Sequence, residues 1–144
     1  MNLSRYGKVT RVSNAVAAGI TVITTSSVDM QGFDQVEFLI SFGSIVATAL
    51  TSVRAQQSDD DVTYADLAGT SIVVSDTDDN KVVVLEINEP TKRYVRLVVA
   101  RAIANATVDG IIAIQTRANI EPVTHDATTV AGSEFHHAPA EGTA

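Results

Sequence analysis

Residues 35–42 read Gln-Val-Glu-Phe-Leu-Ile-Ser-Phe, with Val36, Phe38, Ile40 and Phe42 in one register and Glu37 and Ser41 in the other. A period of two marks a half-buried β-strand, because successive side chains leave opposite faces of an extended backbone. Leu50–Gln56 continues the pattern, setting Leu50, Ser52 and Arg54 against Thr51, Val53 and Ala55, and Ser71–Ser75 is a short apolar run. Val82–Asn88 places Val83, Leu85 and Ile87 on one side. Arg93–Arg101 alternates Val95, Leu97 and Val99 against Arg96 and Val98. Val108–Arg117 reads as Val108, Ile112, Ile114 and Thr116 against Asp109, Ile111 and Gln115. The core expected from these faces is Phe38, Ile40, Leu85, Ile87, Leu97, Val99, Ile112 and Ile114. The later strands carry apolar side chains on both faces, which implies cover on both sides or a subunit contact.

The joints have turn chemistry. Ser58-Asp59-Asp60-Asp61 and Ser75-Asp76-Thr77-Asp78-Asp79-Asn80 are acidic hairpin tips, and Glu89-Pro90-Thr91 breaks the chain before Arg93. Asp and Asn favour such positions because they bond their own backbone. Only Ala15–Ala18 and Ala100–Ala106 offer a single helical turn. Strands about ten residues apart, each followed by a turn, define an all-β antiparallel sandwich, jelly-roll-like, of about seven to nine strands.

Composition agrees. The chain of 144 residues contains 20 Val, 11 Ile and 16 Thr but only 6 Leu, and β-branched side chains fit pleated surfaces better than helices. This excludes a coiled coil, a helical bundle and a disordered chain. Three segments follow: an N-terminal arm (1–13), one sandwich domain (14–127) and a C-terminal arm (128–144). The second arm, rich in Ala, Gly, Thr, Pro and His, cannot fold alone and is expected to gain order on a neighbour.

The balance of 10 Lys+Arg against 17 Asp+Glu gives a net charge of −7, which excludes a general nucleic-acid binder. The charged fraction of 19% is below the ~25% of typical domains, as for a surface partly covered by another protein. Ala15–Ile23 is far short of the ~20 apolar residues that span a bilayer, so no membrane contact is expected. With no Cys, neither disulfides nor thiolate chemistry is available.

No catalytic or cofactor pattern stands out. There is no Gly-x-Ser-x-Gly elbow, and Ala65–Thr70 lacks the Lys and flanking glycines of a phosphate loop. His125, Asp126, Glu134, His136 and His137 match no closed metal-site spacing. Asp76, Asp78, Asp79 and Asn80 lack the central Gly and the later Glu of a calcium loop. Neither an enzyme, nor a cofactor, nor a metal site is expected. Basic residues gather at Arg5, Lys8 and Arg11 and around Lys92, Arg93, Arg96 and Arg101. Arg5, Lys8 and Arg11, with His136 and His137, are the candidate partner-binding residues, set for charge complementarity with another subunit or an acidic surface.

One hairpin goes beyond pattern. Val53-Arg54-Ala55-Gln56-Gln57-Ser58-Asp59-Asp60-Asp61 followed by Tyr64-Ala65-Asp66-Leu67-Ala68-Gly69 resembles a hairpin of jelly-roll sandwiches, including discoidin-like modules and small structural proteins of tailed bacteriophages. The resemblance to the phage proteins extends to Val28–Asp34, Asp76–Lys81, Lys92–Arg96, Pro122–Ala127 and Ala138–Gly142, covering the chain from about Val28 to Ala144. It implies a virion structural protein, assembled in the host bacterial cytoplasm. Foremost it implies a capsid decoration (cement) protein on the capsid exterior, with the major capsid protein as partner and a homo-oligomer, trimer before dimer, as its state. A neck, tail or head-fibre component has the same sequence logic. A carbohydrate-binding module comes third, since Trp is absent and Phe38 and Phe42 belong to the core face.

Overall fold

The computed structural model describes residues 2–143; Met1 and Ala144, the outer ends of the two expected arms, lie outside them. A single helical turn, α1 (Leu3–Tyr6), precedes eleven strands. These are β1 (Lys8–Ser13), β2 (Val16–Gly19), β3 (Ile23–Thr24), β4 (Val28–Asp29), β5 (Phe33–Ile45), β6 (Leu50–Ser58), β7 (Ala65–Asp66), β8 (Ile72–Val74), β9 (Val82–Asn88), β10 (Tyr94–Ala102) and β11 (Ala106–Ala118).

All pairings are antiparallel. The first sheet runs β1-β11-β5-β9, with β2 also on β11. The second runs β3-β10-β6-β7, with β4 also on β10 and β8 on β6. The short strands pair off: β1 with β2, β3 with β4, and β7 with β8 each share one neighbour. Counted as interrupted strands they leave four positions per sheet. The chain crosses between sheets so that its first and last strands are neighbours, which is the jelly-roll arrangement.

The alternation at 35–42 is the middle of β5, and Val36, Phe38, Ile40 and Phe42 are all buried. Facing them from the second sheet are Val53 and Ala55 of β6 and Val95, Leu97 and Val99 of β10. Leu85 completes the row Leu85–Phe38–Ala113 across the first sheet. Ile87 is half-buried against the same cluster.

Three expectations differ from the structure. In β11 the buried residues are Ala106, Val108, Ile111, Ala113 and Gln115, whereas Ile112 is 40% exposed and Ile114 half-buried on the outer face. The cause is a register shift between Val108 and Gly110, where an extra residue reverses the alternation. Gly110 has φ +152°, which an L side chain rarely adopts. The inward Gln115 is satisfied, donating 2.7 Å to the Asp29 carbonyl of the other sheet. Second, Lys8–Ser13, read as part of an arm, is a full strand on β11 with Val12 buried. Third, Ala15–Ala18 and Ala100–Ala106 supply strand residues instead of helical turns.

Candidate interaction surfaces

One end of the second sheet presents an apolar platform. Across its outer face Ala100 stands opposite Ser52, and Ser52 opposite Val73; in the next row Ala102 stands opposite Leu50. Val22 precedes the buried Ile23, which pairs with Val99, so alternation turns Val22 outward beside the Ala100 row. Ile20, Val22, Leu50, Val73 and Ile103 are each more than half exposed. An open depression of about 610 Å³ is lined by residues 48–52 and 73–76 with Ala100 and Ala102. Its one ionisable group, Asp76, accepts the Thr48 N–H at 2.8 Å. Contiguous exposed apolar area of this kind marks a contact surface. The sequence held a faint signal for it, since Leu50 and Ala100 lie in the solvent-facing register of their strands. The rows became visible only with the pairing.

Beneath the platform Arg101 is buried, 3% exposed, on the inner register of β10. Its guanidinium donates to the Thr21 carbonyl (2.8 Å), the Ala17 carbonyl (2.9 Å), the Ala106 carbonyl (2.6 Å) and the Thr21 hydroxyl (3.1 Å). Ala17 and Ala106 belong to the first sheet and Arg101 to the second, so one cation ties the two together where the chain crosses at Ile20–Val22. No carboxylate pairs with it among the described residues. Burial pulls its pKa down from the ordinary arginine value.

The expected partner-binding residues lie elsewhere. Arg5 is exposed on α1 and Arg11 is exposed on β1. The Lys8 ammonium sits 5.8 Å over the Phe33 ring. Arg5 and Lys8 are at the Gln115 end of the first sheet, opposite to the platform. The chain after β11 returns to this end. Val123 N–H donates to the Arg5 carbonyl at 2.8 Å, and the His125 ring takes the Val9 N–H on Nδ1 (3.3 Å) and lies 3.1 Å from the Ser4 carbonyl through Nε2. His125 therefore closes part of the β1 edge. An open groove of about 610 Å³ runs between residues 2–4 and residues 132–135. His136 pairs with Glu134 at 2.7 Å, and the His137 ring meets Phe135 edge-on at 5.1 Å. Among the described residues no three His, Asp or Glu side chains converge on a common point.

In each acidic tip one carboxylate accepts from the backbone of its own turn, Asp60 in the first and Asp78 in the second, while Asp76 and Asp79 of the second accept from the Thr48 and Ile45 amides. Asp60 accepts from Thr63 N–H (2.7 Å), Val62 N–H (2.9 Å) and the Ser58 hydroxyl (2.8 Å). Asp78 accepts from Ser75 N–H (2.9 Å) and Lys81 (2.7 Å). The Thr63 and Val62 amides, then Ser58, hold Asp60 far below the usual carboxylate range. Its pKa is lower in the folded chain than in the unfolded one, so its contribution is complete above about pH 4 and is lost as pH falls below that. Acid melting curves should show it: Asp60→Asn is expected to lose less melting temperature than the unmodified chain between pH 5 and pH 2. Equal slopes would refute this assignment.

On the other half of the second sheet the polar groups saturate one another. Arg54 and Gln56 both donate to Asp66 (2.9 and 2.7 Å), and Arg96 donates to Gln56 at 2.9 Å. The Arg96 guanidinium stacks 3.5 Å from the Tyr64 ring centre, and the Tyr64 hydroxyl donates to Asp61. That ring face is thereby taken and is not free to stack on a sugar.

No protein-family model matches the chain. No curated protein matches it in sequence. Among solved structures, the PBSX exported protein XepA superposes with a TM-score of 0.56 at 15% identity, over 94% of this chain and 45% of that one. The chain thus spans less than half of that protein. A Bacillus endospore appendage pilus protein (TM-score 0.48, 12% identity, 81% of this chain and 92% of that one) is also similar. So is the VP2 protein of an infectious bursal disease virus subviral particle (0.47, 14%, 80% and 32%). At these identities the likeness is one of fold, an antiparallel β-sandwich.

Proposed function

We propose that the chain is a non-enzymatic structural protein of a phage virion, a decoration protein that lies on the outside of the capsid shell and contacts the major capsid protein. The observation that carries this reading is the exposed apolar platform of Ile20, Val22, Leu50, Val73 and Ile103. It is an open apolar surface lying over the buried Arg101, and we read it as shaped for contact with another protein instead of for enclosing a small molecule. The likeness to the PBSX exported protein XepA supports the fold. Many copies on one shell add avidity, so each contact need only be weak.

The test is co-sedimentation with purified capsids. Val73→Glu puts a carboxylate in the platform, where a contact would bury it unpaired, and is expected to weaken shell binding at least ~10-fold while the melting temperature stays level. Full-strength binding by this variant would refute the platform as the contact. Copy number in purified virions checks the role: hundreds of copies support decoration, whereas a dozen or fewer point to the neck or tail.

A further inference from the structure

The β9 margin of the first sheet is an open edge, and we infer that it pairs with β9 of a second copy of this chain across a two-fold axis. Glu89 N–H donates to Asp34 O, and Phe42 N–H to Lys81 O. With the β5–β9 register these fix which β9 residues bond inward: Lys81, Val83, Leu85, Ile87 and Glu89. The backbone groups of Val82, Val84, Glu86 and Asn88 therefore point away from the sheet, and no strand lies beside them among the described residues.

The other margins are blunted in ways that natural sheets use. Those of the second sheet are interrupted strands of two or three residues, and His125 takes the Val9 N–H on the β1 edge. β9 has seven residues and carries no Pro, Lys or bulge; Val82 and Val84 are more than half exposed. On the outer face of the sheet Val84 is the end of an apolar row that runs inward across the strands, Ile112–Leu39–Val84.

Self-pairing has few admissible registers. Hydrogen-bonded pairs must come from Val82, Val84, Glu86 and Asn88, so the two-fold falls on Val84, Leu85 or Glu86. Placed on Glu86, it sets two carboxylates opposite each other, beside the Glu37–Glu86 pair already present in each chain. Placed on Val84, it leaves Asn88 beyond the partner strand. On Leu85 all four outward residues are used, Val82 facing the partner's Asn88 and Val84 facing the partner's Glu86. The two sheets then join into one, and the closed two-fold stands in place of the three-fold association expected from sequence. This pairing does not depend on the virion reading.

Two substitutions at one position discriminate. Val84→Pro removes an outward N–H, which an edge strand tolerates, and is expected to weaken dimerisation ~100-fold or more with the circular dichroism unchanged. Val84→Lys, an edge-blocking change in any other arrangement, sets Lys opposite the partner's Glu86 twice and is expected to keep or tighten the dimer. Sedimentation equilibrium up to millimolar concentration reads the mass. Hydrogen exchange on the unmodified chain gives a reading independent of any variant, since protection at Val84 and Glu86 should rise with concentration. A monomer throughout, a trimer, a dimer lost with Val84→Lys, or concentration-independent exchange at those amides would each overturn the inference.

Discussion

Arg101→Met is expected to lower the unfolding free energy by ~3–5 kcal/mol, more than most single changes in a domain of this size. Methionine fills much of the arginine volume, so lost packing is a minor part. The main effect is on hydrogen bonds: the Ala17, Thr21 and Ala106 carbonyls lose a charged donor at 2.6–2.9 Å. The Ala106 carbonyl is buried and costs about 1–3 kcal/mol when left unpaired; the Ala17 and Thr21 carbonyls are part-buried, so water offsets some of their loss. The relief of no longer burying a cation offsets part of this. Arg101→Lys keeps the charge but not the planar fork that reaches carbonyls in both sheets, and should fall between the two. Urea titration of the three proteins measures the order. A Met variant as stable as the unmodified chain would refute the staple. The same variant should also loosen Ile20 and Val22, because Thr21 between them holds two of the guanidinium contacts.

Arg101 also shows what was legible in the sequence. Val95, Leu97 and Val99 mark the inner register of β10, and Arg101 is the next residue in that register. Its position was therefore readable, but its charge placed it with the surface basic residues. No local pattern indicates three carbonyls waiting from segments up to 84 positions away. The bounds of β9 are those its alternation predicts, because both of its ends carry turn chemistry. β11 misled because the bulge at Asp109–Gly110 exchanges its faces, and apolar residues on both sides concealed the change.

β1 was missed for a related reason. Val9 and Val12 are three residues apart, so no period of two joins them, and a register shift between Arg11 and Ser13 breaks the alternation of the strand. The two-residue strands β3, β4 and β7 are too short to have a period at all. The platform and the β9 edge are properties of pairing: a residue's exposure on a sheet depends on the strands beside it, which the linear pattern does not contain. What the sequence did supply was the expectation of a subunit contact from strands apolar on both faces. The Ile112–Leu39–Val84 row is where that excess lies.

Phe38→Ala is expected to cost ~3–5 kcal/mol, the range for removing a fully buried aromatic ring. Phe38 occupies the middle of β5, a strand flanked on both sides, with Ala113 on one neighbour and Leu85 on the other. The small Ala113 leaves room for the ring, so the site is filled by one large side chain beside a small one, and no neighbour can swing across to fill the gap. Strands hydrogen-bonded on both sides also resist collapse, which keeps the cavity open and the cost high. Phe135→Ala supplies the internal comparison. That ring is half exposed in the C-terminal segment, against His137, and its loss should change stability by no more than ~0.5 kcal/mol. Denaturant titration should show both variants with the unmodified slope and only Phe38→Ala with a displaced midpoint. Similar midpoints for the two would mean that the space between the sheets is not the close-packed core described, and that Phe38 does not anchor it.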